Sequence, residues 1–116
     1  MPSTCVFCRI VKGQEDADRI YHDDQLTAFH DQHPQAPVHV LIVPNRHISS
    51  VNEAADADAS LLGHMLLLAQ ELAADLEIAQ SGYRLVINTG RDGGQSVSHL
   101  HLHLLRWVAA RLPRIR

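Results

Sequence analysis

Residues 99–105 read His-Leu-His-Leu-His-Leu-Leu. Strict alternation of imidazole with leucine has the period of two that a β-strand imposes and a helix cannot exploit. The leucines anchor one face in a core, while His99, His101 and His103 share the other, roughly 6.5–7 Å apart along the strand. One histidine on such a face is usually an ordinary surface group. Three in register form a platform for nucleophilic, acid–base or metal chemistry.

The flanking chain supplies partners for this strand. Residues 5–11 read as a short helical turn closed by Gly13. Residues 19–22 and 26–31 read as strands of a hairpin turning at Asp23-Asp24. Pro34 and Pro37 interrupt the chain before a β-branched strand at 38–43, which Pro44 stops. Asp56 or Asp58 is placed to cap a long helix. Its apolar stripe runs through Leu61, Met65, Leu68, Leu72 and Leu76, is widened by Leu62, Leu66, Ala69 and Ala73, and ends before Ser81-Gly82. A strand at 83–88 and a loop at 89–98 lead into the histidine strand, a hairpin that brings Asn88 beside it. The sum is an α+β domain: an antiparallel sheet of about five strands with one long and one short helix laid on one side.

With 116 residues, 46% of them hydrophobic, the chain can bury one core and is too short for two ordinary domains. A formal charge of only −3 and the lack of a basic run in the body argue against a duplex nucleic-acid surface. No long uninterrupted apolar segment points to a membrane, so a cytoplasmic protein is expected. The two cysteines, Cys5 and Cys8, are too few for a disulfide scaffold; their C-x-x-C spacing suits a metal or a redox pair. Redox chemistry is the weaker option, because no strand precedes the motif. Gly90, Gly93 and Gly94 let backbone N–H groups approach an anion, and Gln95 and Ser96 add side-chain donors, so the loop could cradle a phosphate.

The run His99 to Leu105, preceded by Asp92-Gly93-Gly94-Gln95-Ser96-Val97, resembles the histidine triad (HIT) superfamily, specifically its Hint branch of nucleoside phosphoramidases. Supporting segments are Phe29-His30-Asp31, Pro34 to His39, Ile42 to Ser49, Leu61 to His64 and Gly82 to Asn88, so the likeness spans about residues 5–105. The resemblance implies a HIT-like fold for residues 1–105, with its sheet extended across a homodimer. It also implies cleavage of purine nucleoside 5′-phosphoramidates, AMP or GMP derivatives, through a covalent nucleotidyl-histidine. His101 matches the family's nucleophile, and a largely neutral imidazole is chemically suited to attack phosphorus. By the same resemblance His103 would hold a non-bridging phosphate oxygen, and Ser96 and Gln95, beside Gly94, would steer the phosphate and the leaving group. Asp31 would accept the ribose hydroxyls, Asn88 would contact the ribose–phosphate region, Val6, Phe7, Ile10 and Phe29 would wall the base, and His39 would point into the same region. No metal is needed for that chemistry. Superfamily members with the cysteine pair complete a structural Zn²⁺ site, which here implies Cys5, Cys8, His47 and His99.

The likeness has gaps. Gln32 stands where the Hint branch usually carries an apolar residue, and Ser98 where it usually carries tyrosine. After Leu105 the expected Gly-Gly-Arg and Trp-Pro-Pro-Gly are replaced by an Arg-rich tail, residues 106–116, holding four of the ten basic residues. In the Hint branch that segment crosses the dimer interface to the partner's site. Two other functions compete with the phosphoramidase: dinucleoside polyphosphate hydrolysis, and a zinc-stabilised nucleotide-binding interaction module without catalysis. A catalytic metal on all three histidines is disfavoured, since side chains spaced along one strand converge poorly on an ion about 2 Å from each. His22, His30, His33 and His64 read as surface or packing residues.

Overall fold

The computed structural model describes residues 4–107. Five strands form one antiparallel sheet: β1 (Arg19–His22), β2 (Leu26–His30), β3 (Val38–Pro44), β4 (Arg84–Val86) and β5 (Leu102–Arg106), in the order β1-β2-β3-β5-β4. The long β3 is central because nearly all of its side chains are buried, as a strand covered on both faces requires. The alternation along β2, β3 and β5 divides the core in two. Ala28, Val40, Ile42, Leu102 and Leu104 face α2 (Ala59–Asp75), whereas Phe29, Leu41 and Val43 face α1 (Val6–Val11) and its Phe7 and Ile10. The helices therefore cover opposite faces, not one side as the sequence suggested. The short helix carries its own two-residue apolar anchor and needs no neighbour helix. Among the described residues no helix is long and apolar enough to cross a membrane.

Several boundaries differ from the sequence-based expectation. α2 buries Met65, Leu68, Ala69, Leu72 and Ala73, but Leu66 is 50% and Leu67 64% exposed, so the stripe is narrower than expected. Asp58 occupies the position before α2, yet its carboxylate accepts from the Ala55 N–H and pairs with Arg46. It staples the preceding turn and does not cap the helix. α2 ends with Glu77 at φ 61°, where the Glu77 N–H donates to the Ala74 carbonyl and the Ile78 N–H to the Ala73 carbonyl. That is the left-handed exit usually given to glycine. β4 is shorter than the expected 83–88 strand and leaves Asn88 outside it. Residues 99–101 are not strand: the His99 N–H bonds to the Val97 carbonyl and the Leu100 N–H to the Ile48 carbonyl, so β5 opens only at Leu102. β5 also runs through Arg106, one residue into the expected tail; residues 108–116 of that tail lie outside the described residues.

Candidate active site

A cleft of about 530 Å³ opens on the α1 face of the sheet. Phe7 and Ile10 of α1, with Phe29 and Leu41 of the sheet, make its apolar wall; Asp31, Ser96, His101 and His103 supply polar groups. The sheet register explains the gathering. His103 pairs with Leu41, and His39 with Leu105, so the pleat sends His39, Leu41 and His103 to the same face. Phe7 packs edge-on against Phe29 and against the rings of His99 and His101, at centroid separations of 5.5, 5.9 and 5.1 Å. One α1 side chain thus walls the cleft and dries the histidines beside it.

The hydrogen bonds determine which ring nitrogens carry protons. His101 Nδ1 lies 2.7 Å from the His99 carbonyl, an acceptor only, so Nδ1–H donates and Nε2 keeps the lone pair. The chain of bonds to His103 runs the other way. The Gln35 N–H donates to His39 Nδ1 at 3.1 Å, which leaves the His39 proton on Nε2. That Nε2–H donates to His103 Nδ1 at 2.9 Å, with Asp31 Oδ2 a second acceptor at 3.4 Å. His103 therefore bears its proton on Nε2, a buried atom with no hydrogen-bond partner among the described residues. Two neighbouring rings, 4.9 Å apart, so have opposite tautomers: a lone pair on one Nε2 and a proton on the other.

Burial holds these imidazoles neutral. It pushes His101 below the ordinary histidine value, against the bond to the His99 carbonyl. His103 falls to about 4, through burial first and then the neighbouring His101 and His39. His39 is lowered by burial, with Asp31 opposing. At neutral pH the Asp31–His39 contact is consequently a hydrogen bond from a neutral ring, not an ion pair.

A second cluster lies behind the cleft. Cys5 Sγ is 3.4 Å and Cys8 Sγ 3.6 Å from His99 Nδ1, and Cys8 Sγ is 3.2 Å from His47 Nδ1; all four ligand atoms lie within 4.8 Å of one another. Tetrahedral bonds of ~2.3 Å to sulfur and ~2.05 Å to nitrogen would space sulfur and nitrogen about 3.6 Å apart. His99 donates Nε2–H to the Pro44 carbonyl at 2.8 Å, which leaves a lone pair on Nδ1, the nitrogen facing the thiols. Both spacing and tautomer fit a metal ion. Asp31, His39 and His103 form another close trio, but His39 Nε2 carries a proton there and offers no lone pair.

Of the residues singled out from sequence, His101, His103, Ser96, Asp31, Phe7, Ile10 and Phe29 meet at the cleft. His39 stands behind His103, buried. Gln95 does not line the cleft: its amide donates to the Ser49 and Val97 carbonyls, and its oxygen accepts from the Gly90 N–H. Asn88 and Gly94 are likewise absent from the cleft wall, although Gly94 takes the left-handed conformation at φ 82° that turns the loop. Glu15, Asp16, His33 and Gln35 line the cleft without having been singled out for it. His33 had read as a surface or packing group. Gln32 also lines the wall and is held by its donation to the Asp16 carbonyl at 3.0 Å.

Known proteins of this shape are well represented. The HIT domain family model matches residues 12–107. A purine nucleoside phosphoramidase of Escherichia coli strain K12 is 44% identical over 105 residues, spanning 90% of this chain and 88% of that protein. Among solved structures, a HIT family hydrolase from Clostridium thermocellum has a TM-score of 0.92 at 42% identity, with 100% of both chains covered. A HIT family hydrolase from Legionella pneumophila Philadelphia 1 has a TM-score of 0.87 at 44% identity, over 89% of this chain and 92% of that one.

Proposed function

This chain belongs to the HIT domain family and is a HIT hydrolase, and on that footing we propose that it cleaves purine nucleoside 5′-phosphoramidates through a nucleotidyl intermediate on His101. The observation that carries the proposal is the pair of opposed tautomers in the cleft. His101 Nε2 attacks the α-phosphorus with its lone pair while the P–N bond breaks. The departing amine takes a proton relayed from solvent past the Ser96 hydroxyl. His103 Nε2–H donates to a non-bridging phosphoryl oxygen as charge gathers there. Water then attacks the phosphorus, the bond to His101 breaks, and the nucleoside monophosphate leaves with a proton returned to solvent. Gln95 acts at one remove: its three bonds fix the loop that presents Ser96. Asp31 accepts the ribose hydroxyls, and Phe7, Ile10 and Phe29 hold the base by apolar contact.

Cys5, Cys8, His47 and His99 would hold Zn²⁺, which supplies a structural crosslink between the start of the chain and the entry to β5. A homodimer is part of the same proposal. β4 is a sheet edge only three residues long, and Ile87 beside it and Leu66 and Leu67 on α2 are exposed apolar groups.

Hydrolysis of an adenosine 5′-phosphoramidate by wild type and His101→Ala, with mass spectrometry of the quenched proteins, tests the mechanism. Turnover and an AMP adduct in wild type alone are expected. Turnover by His101→Ala at the wild-type rate would remove the covalent route. A preference for dinucleoside polyphosphates in direct competition would replace the substrate assignment.

A further inference from the structure

The stretch where the resemblance expects Gly-Gly-Arg carries Arg106-Trp107, and the tryptophan is tied to the cleft. Its indole Nε1–H donates to the Gln35 carbonyl at 3.1 Å, and its ring lies under the Arg84 guanidinium, 5.4 Å from ring centroid to guanidinium carbon. Gln35 is the residue whose N–H donates to His39 Nδ1. One exposed loop residue thus has its carbonyl held by Trp107 and its N–H spent on a buried histidine, and that N–H decides where His39 carries its proton. His39 in turn decides it for His103. Were the Gln35 N–H to swing away, His39 could move its proton to Nδ1. Its Nε2 would then be an acceptor, and the proton of His103 would be drawn to Nδ1, leaving no donor at its Nε2. Val38 pairs with Arg106, so the end of β5 delivers Trp107 directly beside the loop that precedes β3.

We propose that Trp107 is a positioning residue for the phosphate-binding histidine, acting through Gln35 and His39 to keep His103 in its Nε2–H form. The inference rests on the assignment of His103 as the phosphoryl-oxygen donor. Its test reads the tautomers separately from the chemistry. Protein labelled with ¹⁵N-histidine is compared as wild type, Trp107→Phe, which keeps an aromatic ring under the Arg84 guanidinium and deletes the indole donor, and Gln35→Pro, which deletes the N–H itself. Wild type should show His39 and His103 both as Nε2–H. Each variant should show a mixture of tautomers at both rings. Hydrolysis of an adenosine 5′-phosphoramidate should lose about threefold to tenfold in kcat, the worth of one exposed hydrogen bond, with a smaller change in KM. Wild-type ring signals in Trp107→Phe overturn the proposal, and do so most clearly if Gln35→Pro shifts them. If wild type turns over no phosphoramidate, the substrate assignment fails while the ring signals still decide the role of Trp107.

Discussion

Replacing His103 by phenylalanine should damage catalysis and spare, or improve, the fold. The Nε2–H of His103 is a buried donor without a partner among the described residues, and such a group costs the folded state ~1–3 kcal/mol. Phenylalanine has nearly the same shape and removes that cost. It also removes the acceptor of the 2.9 Å bond from His39, ordinarily worth ~0.5–1.5 kcal/mol. Asp31 Oδ2, at 3.4 Å from His39 Nε2, remains to take the freed proton. The balance lies between no change and a gain of about 2 kcal/mol, or a rise in Tm of up to ~8 °C for a chain of this size. Activity moves the other way. Loss of a preorganised donor to a phosphoryl oxygen costs about 10²–10³ in kcat. Thermal melts without ligand, and single-turnover hydrolysis of an adenosine 5′-phosphoramidate, measure the two effects. His103→Gln, which returns an N–H donor, should recover about tenfold of the lost rate. A His103→Phe protein that melts more than about 4 °C below wild type while retaining kcat within tenfold would refute the reasoning. The buried nitrogen would then serve the fold and not the substrate.

Acid should destabilise the protein in a defined window. His103 is neutral in the folded state down to about pH 4 but protonates near 6.5 when unfolded. Its contribution is therefore fully present above pH 6.5 and is lost as pH falls through 6.5 toward 4. Allowing for its partial exposure, this amounts to no more than about 2 kcal/mol; urea melts at pH 7.5, 5.5 and 4.5 in wild type and His103→Phe check it, the variant losing less. Removing metal with a chelator should lower Tm by ~10 °C, with recovery on adding Zn²⁺, and Cys8→Ala should abolish the difference; an unchanged Tm in all three would leave the cysteine–histidine cluster without a structural ion. Asp31→Asn should raise KM about tenfold to a hundredfold for a ribonucleoside phosphoramidate through loss of charge-assisted bonds, and less for its 2′-deoxy analogue. An equal effect on both sugars would show that Asp31 acts on His39 alone.

What could be seen in the sequence follows from which interactions are local. Alternation in residues 99–105 disclosed a buried leucine side and a histidine side, because Leu100, Leu102 and Leu104 do pack together against α2. It did not disclose that regular strand begins only at Leu102. The bonds that break it, Leu100 N–H to the Ile48 carbonyl among them, join residues far apart in the chain. The side on which α1 packs was hidden for a similar reason: Phe7 and Ile10 advertise an apolar face but not which face of the sheet receives it. Gln95 read as a donor to substrate because an amide beside glycines suits an anion. Its actual partners, the Ser49 carbonyl and the Gly90 N–H, become visible only when the loop is closed. The cysteine pair and the two histidines that meet it were readable as a ligand set through resemblance. The C-x-x-C spacing alone left metal and redox chemistry open, with redox the weaker option.

The departure from regular strand at residues 99–101 explains how one run of histidines can support two tasks. On a flat strand His99 and His101 would present equivalent rings to one face. Here the backbone turns so that the His99 ring, 0% exposed, lies against the thiols of Cys5 and Cys8, while its carbonyl points at His101 Nδ1. The ring of His99 is fixed from its far side by the Pro44 carbonyl, the last residue of β3, where the lack of a proline N–H costs the sheet little. His99 thus joins the cysteine–histidine cluster to the tautomer of its neighbour through a single residue. That bond is buried, and Phe7 packs edge-on against both rings. The cysteine–histidine cluster and the cleft are two uses of one buried turn.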